Sequence, residues 1–194
     1  MLNLILNLYI YITIFIVLLI MIGFIKRRLF IYISGLTAIL IVIGFLLPEN
    51  LIIPVQGATT RDWNHKTFWY EPWGKSGVHK GIDIFAKKGT PLLSATSGVV
   101  VYTGKFGIGG NVIIVLGAKW KIHYYAHLKS KNVSVGEFVS TSQKIGTIGN
   151  SGNAKGKPAH VHYSIVTLFP YVWRWDNSTQ GWKKIFYLNP SEIL

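Results

Sequence analysis

Residues 98–128 read GVVVYTGKFGIGGNVIIVLGAKWKIHYYAHL. Three runs rich in β-branched and aromatic residues stand out: Val99 to Thr103, Asn111 to Leu116 and Lys121 to Leu128. Gly104, Gly107, Gly109-Gly110 and Gly117 separate them, and short apolar runs punctuated by glycine form strands joined by turns. Asn132 to Val139, Lys144 to Ile148 and His160 to Val166 repeat the pattern more weakly. No helical period of useful length follows Pro48. The sequence predicts an all-β domain, a small antiparallel β-sheet built largely from hairpins.

The histidines cluster around this stretch. His79-Lys80-Gly81-Ile82-Asp83 precedes it, Tyr125-Ala126-His127-Leu128 ends it, and His160-Val161-His162 lies in the last candidate strand. Side chains alternate along a strand, so His160 and His162 point to one face and Val161 to the other. By the same rule His123, Tyr125 and His127 share a face. A single histidine in a sheet is usually structural; five in three clusters, one spaced H-x-x-x-D, point to a metal site. A hydrolytic zinc site takes about three His, Asp or Glu ligands and keeps one position open for water. The glutamate base of an H-E-x-x-H motif is missing. Glu137, the only acid between Asp83 and Asp176, falls in a turn predicted to face solvent. Proton handling therefore falls to histidine, whose pKa suits it. The spacing alone does not divide the histidines between metal and proton duty.

Further upstream the composition changes. Met1 to Ile25 and Leu29 to Pro48 contain no charged side chain, and each reaches the roughly 20 residues needed to cross a bilayer. Lys26-Arg27-Arg28 divides them, so the expectation is a two-helix transmembrane hairpin over residues 1–48. Its basic turn would be cytoplasmic, and all that follows Pro48 would lie outside the cytoplasmic membrane. No basic leader or small-residue cleavage site accompanies the first run, unlike a removable signal peptide. Gly23 and Gly35 beside the turn, and Asn3 and Asn7 on a shared face, are ordinary features of such helices.

Residues 49–77 form an aromatic connector containing Trp63, Phe68, Trp69, Tyr70 and Trp73, unlike a flexible Gly/Ser linker. It covers the core, lines a groove or lies at the membrane surface. The third region, residues 78–194, is the β domain, with a tryptophan-rich tail beyond Thr167. The chain of 194 residues carries a net charge of +13 and no cysteine, which excludes disulfides, thiolate metal sites and a cysteine nucleophile. Residues 51–194 alone carry +11, suited to an anionic partner such as cell-wall polymer or lipid headgroups. Nucleic acid fits the charge but neither the external location nor the clustered histidines.

The motifs together resemble the lysostaphin-type zinc metallopeptidases, peptidase family M23. His79 to Asp83, followed by Lys88-Gly89-Thr90-Pro91, is similar to that family's first metal motif and the turn after it. Ala95-Thr96-Ser97-Gly98-Val99-Val100, Gly110 to Ile114, Tyr125 to Leu128, Val135-Gly136, Ile145-Gly146 and His160 to His162 follow in the family's order. The resemblance implies a β-sheet peptidase domain with a substrate groove. It implies zinc held by His79, Asp83 and His162, with His127 and His160 catalytic, and peptidoglycan peptide as substrate. A non-catalytic cell-wall-binding or hydrolase-activating module of the same fold is the alternative; the three intact ligand positions favour the enzyme. Two departures bear on substrate preference: a basic loop from Asn150 to Pro158, and Tyr163-Ser164 where a Phe-Glu pair is common.

Overall fold

The computed structural model describes the backbone of residues 2–194 and the side chains of residues 17, 18 and 21–194; the side chains of Asn3 and Asn7 lie outside the described residues. Two compact units emerge, residues 1–44 and 45–194.

The first unit corrects the expected hairpin. One continuous helix, α1, runs Leu2–Leu46, straight through Lys26-Arg27-Arg28. Lysine and arginine are good helix formers, and the tripeptide holds none of the Gly, Pro, Asn or Asp chemistry that turns a chain. Pro48 then stops the helix, two residues past its end. At 45 residues it is about 67 Å long, twice what a bilayer core of about 30 Å requires. The segment Met21–Leu46 is apolar and long enough to span a membrane, and most of its described side chains stand open, Phe30 being 71% exposed.

The second unit is built on β-strands, joined by short 3-10 helices and irregular stretches. Its strands are β1 (Ile82–Phe85), β2 (Pro91–Leu93), β3 (Gly98–Lys105), β4 (Asn111–Gly117), β5 (Lys121–Ala126), β6 (Ser130–Lys131), β7 (Phe138–Val139), β8 (Lys144–Thr147), β9 (His160–Thr167) and β10 (Tyr187–Leu188). A seven-stranded sheet has the order β1-β9-β5-β4-β3-β7, with β10 also on β9, and β2-β8-β6 form a second sheet. Every pairing is antiparallel. Of the weaker strand candidates, Asn132 to Val139 contributes only its last two residues. Val135-Gly136 turns there, and the half-buried Glu137 accepts from the Ser134 backbone N–H at 2.9 Å.

Alternation along β9 decides what each face does. Val161, Tyr163 and Ile165 are fully buried and join Ile113, Val115 and Tyr125 in the core. Leu92 and Ile145 from the smaller sheet enter the same cluster, as do Val55 and Trp63 from the aromatic connector. The connector is therefore part of the domain: Val55 bridges to Leu92, and Ile52 N–H donates to the Ala95 carbonyl at 3.1 Å. A shielded ion pair, Lys121 Nζ to Glu49 Oε2 at 2.5 Å, fixes its start against β5.

His123 lies in this core, not in a groove. It is fully buried, and its Nδ1 pairs with the Tyr163 hydroxyl at 2.8 Å. Burial, helped by nearby Lys121, pushes its pKa down to about 3. An unfolded histidine takes its proton as pH falls past about 6.5, so the unfolded chain binds more protons between those values. Stability should fall with pH through that window, by up to about 1.4 kcal/mol per pH unit from this residue. His123→Gln should remove part of the slope, measured by denaturant unfolding from neutral pH down to about pH 4.5. An unchanged slope would show that His123 is protonated as readily folded as unfolded.

Candidate metal centre and groove

Strand pairing assembles the site. β1 lies beside β9 with Asp83 opposite His162, and His79 precedes β1, held at its backbone by the connector. Its N–H donates to the Tyr70 carbonyl at 3.0 Å, and its carbonyl accepts from Trp69 at 2.7 Å. Gly81, between the two ligand candidates, is needed for close approach: a Cβ there would sit 2.4 Å from the Tyr163 carbonyl oxygen.

Three atoms converge. His79 Nε2 is 3.1 Å from Asp83 Oδ1 and 3.0 Å from His162 Nδ1, and His162 Nδ1 is 2.9 Å from Asp83 Oδ1. The ring partners on the far sides fix what these atoms are. His79 Nδ1 lies 3.0 Å from the Thr67 carbonyl, which only accepts, so Nδ1 carries the proton and Nε2 a lone pair. His162 Nε2 meets Ser164 Oγ at 2.9 Å, a hydroxyl that can accept from it and leave Nδ1 unprotonated. Three electron-rich atoms then crowd one point, a stable arrangement with a cation among them. Ligand atoms about 2.0–2.1 Å from a tetrahedral zinc lie about 3.3 Å apart, close to the triangle observed. His79, Asp83 and His162 thus fit zinc, with far-side partners of the kind that orient metal-bound histidines. Burial opposes ionisation of Asp83, yet a ring proton of His162 or His79 standing where the cation would be outweighs it and holds the carboxyl well below the usual range. Burial pushes the His162 pKa down despite Asp83.

His127 and His160 flank this triangle. β5 ends at Ala126, and His127 takes a left-handed backbone, φ 65°, which breaks the alternation expected from His123 and Tyr125. Its side chain turns to the opposite face, toward the rings of His160 and His162, with centroids 5.0 and 6.1 Å away. His127 Nδ1 donates to the Ser151 carbonyl at 2.9 Å, and His160 Nδ1 to the Pro158 carbonyl at 2.8 Å. Both Nε2 atoms are left with lone pairs; that of His160 is 3.9 Å from Asp83 Oδ2. Burial, then the neighbouring His160 and His162, push the His127 pKa down to about 4, so it is neutral at pH 7.

The five residues lie in a groove along the open face of the main sheet. On one side it is walled by Ile114, Ile122, Tyr124, Val166 and Tyr187, with a volume near 420 Å³. On the other it runs past Phe85, Asn153 and Lys157. The Trp73 ring stacks on His79 at 4.0 Å and borders both sides. Thr67, Ser151 and Pro158 act through backbone carbonyls, which leave no mark in a sequence. The place of Ser164, two residues from His162, was open to inference from strand alternation. His65 is exposed and bonded to the Thr60 carbonyl, away from the site.

Residues 77–172 match the sequence model of Peptidase family M23. The matched stretch belongs to this family. Among its relatives, the L-Ala--D-Glu endopeptidase of Bacillus subtilis is 35% identical over 113 residues, covering 54% of this chain and 35% of that protein. Lysostaphin of Staphylococcus simulans is 34% identical over 103 residues, covering 50% of this chain and 20% of that protein. The chain thus spans only about a third, at most 35%, of the length of these curated relatives. The crystallised catalytic domain of lysostaphin from S. simulans superposes with a TM-score of 0.51 at 29% identity, over 63% of this chain and 84% of that one. A putative glycyl-glycine endopeptidase from Ruminococcus gnavus shares the fold, with a TM-score of 0.55 at 24% identity over 81% and 64%. M23 peptidases are zinc-dependent, and the only described group of three or more potential ligands close enough to hold a metal is His79, Asp83 and His162.

Ser164→Ala removes the far-side partner of His162 without touching a ligand atom. It should weaken zinc binding about 10–100-fold, read by competition with a chromogenic chelator. Gly81→Ala should weaken it as well by displacing β1 from β9, and should also lower the thermal midpoint.

Proposed function

We propose that this chain is a membrane-anchored zinc endopeptidase that hydrolyses peptide bonds of peptidoglycan. The observation that carries the reading is the convergence of His79 Nε2, Asp83 Oδ1 and His162 Nδ1 beside two histidines whose free Nε2 atoms face the same groove. Zinc, when bound, supplies Lewis acidity and a water acidified toward neutral pH. His79, Asp83 and His162 would hold it. His127, neutral at pH 7, accepts at Nε2 a hydrogen bond from the attacking water and orients it. His160 Nε2 receives and returns the proton that the departing amine needs. The Ser151 and Pro158 carbonyls keep both rings in the tautomer that leaves Nε2 open.

The substrate class rests on the relatives, named as an L-Ala--D-Glu endopeptidase, a lysostaphin and peptidoglycan DD-endopeptidases of Vibrio cholerae. The charge of residues 51–194 suits an anionic wall polymer. The anchor lies within residues 1–48. With a single helix, Lys26-Arg27-Arg28 stands at the cytoplasmic end of a span from Leu29 to Leu46, and basic residues remain inside. The domain from residue 49 onward therefore works on the outer face of the membrane, as it would have with a hairpin.

The test is digestion of purified peptidoglycan by the zinc-loaded chain, with soluble fragments read by mass spectrometry. Chelator-sensitive fragments carrying new amine and carboxyl ends are expected. His162→Ala should lose zinc and activity together. His127→Ala should keep its zinc and lose about 10²–10⁴-fold in kcat. Zinc-loaded protein that leaves peptidoglycan intact would overturn the enzymatic reading and favour a wall-binding module.

A further inference from the structure

Beyond β9 the chain presents large apolar side chains to solvent in a short space: Leu168, Val172, Trp173, Trp175 and Trp182 are each 48–76% exposed. Exposed hydrophobics scattered singly are ordinary, but a cluster marks an interaction surface. The backbone beneath is fixed: Tyr171 N–H donates to the Ile185 carbonyl at 2.8 Å, and the Tyr171 side chain packs on the core. Neither side of the groove at the metal centre is lined by these three tryptophans.

We propose that the exposed aromatic surface over residues 168–182 seats the domain on the headgroup region of the bilayer that its helix spans, an inference that rests on the anchoring reading above. Location supports it first. Phe169, inside the segment, packs on Phe45 with ring centroids 5.0 Å apart and lies 6.3 Å from Trp120. Phe45 belongs to the last turn of α1, so the aromatic surface begins where the apolar helix ends. Chemistry supports it next. Tryptophan combines a large apolar body with one N–H donor, which places it at the membrane–water boundary. Charge agrees as well. Arg174, Lys183 and Lys184 accompany the tryptophans, and the one acid among them, Asp176, is paired with Lys184 at 2.5 Å. The net positive charge suits anionic headgroups.

The chain offers a direct test, since its seven tryptophans all follow residue 62 and α1 contains none. Quenching of tryptophan emission by brominated lipid therefore reports contact between bilayer and domain, never insertion of the helix. The full chain would be reconstituted in vesicles of phosphatidylcholine and phosphatidylglycerol with brominated acyl chains. Co-flotation with the vesicles would be scored in the same samples. The surface predicts strong quenching in the wild type and loss of most of it when Trp173→Phe, Trp175→Phe and Trp182→Phe are combined, with flotation and zinc content unchanged. Flotation without quenching, or quenching that survives the triple variant, would overturn the surface and leave the anchor standing. Failure to float would overturn both. Binding of the wild type to purified glycan strands that the triple variant loses, without lipid quenching, would assign the tryptophans to sugar instead.

Discussion

The pairing of β1 with β9 is the constraint on which the site depends. It puts Asp83 across from His162 and, through Gly81, lets the two backbones close until His79 joins them. Three lone-pair atoms within 3.1 Å of one another repel unless a positive centre stands among them. A zinc ion held by these residues would supply that centre. The far face of the same strand meets the opposite requirement: Val161, Tyr163 and Ile165 exclude water and lock the register. A slip of one residue would exchange the two faces, so core packing and metal geometry are specified together.

Carbonyl oxygens do much of the remaining work. The Thr67, Ser151 and Pro158 carbonyls each accept a hydrogen bond from one ring nitrogen and so decide what the other nitrogen can do. This division needs no acidic partner, which fits a domain whose only acid between Asp83 and Asp176 lies in a distant turn. Burial then keeps His127 and His162 neutral at working pH, the form that binds metal or takes a proton.

Much of this was legible in the sequence. Strand segments with glycine turns gave the β domain, and alternation placed His160 and His162 together with Val161 behind them. The failures are equally physical. Alternation put His127 with His123 and Tyr125, but it holds only within a strand, and the left-handed residue after Ala126 ends it. The charged tripeptide at 26–28 looked like a turn because charge and hydropathy were weighed without helix propensity. Carbonyl contacts to the histidines were out of reach, since every residue has a carbonyl and only the tertiary fold selects three. Strands of two or three residues, such as β6 and β10, are too short to leave a pattern.

The borders of the site are wider than the borders of the family likeness. The likeness covers residues 77–172, yet the carbonyl that orients His79 belongs to Thr67, the ring stacked on that histidine belongs to Trp73, and Tyr187 walls the groove from the far end of the chain. A domain cut at the edges of the likeness would retain every motif residue and lose the groups that aim and enclose them. The matched stretch carries the motif residues alone. The aromatic stretch before the first motif and the chain beyond β9 shape the surroundings of the groove.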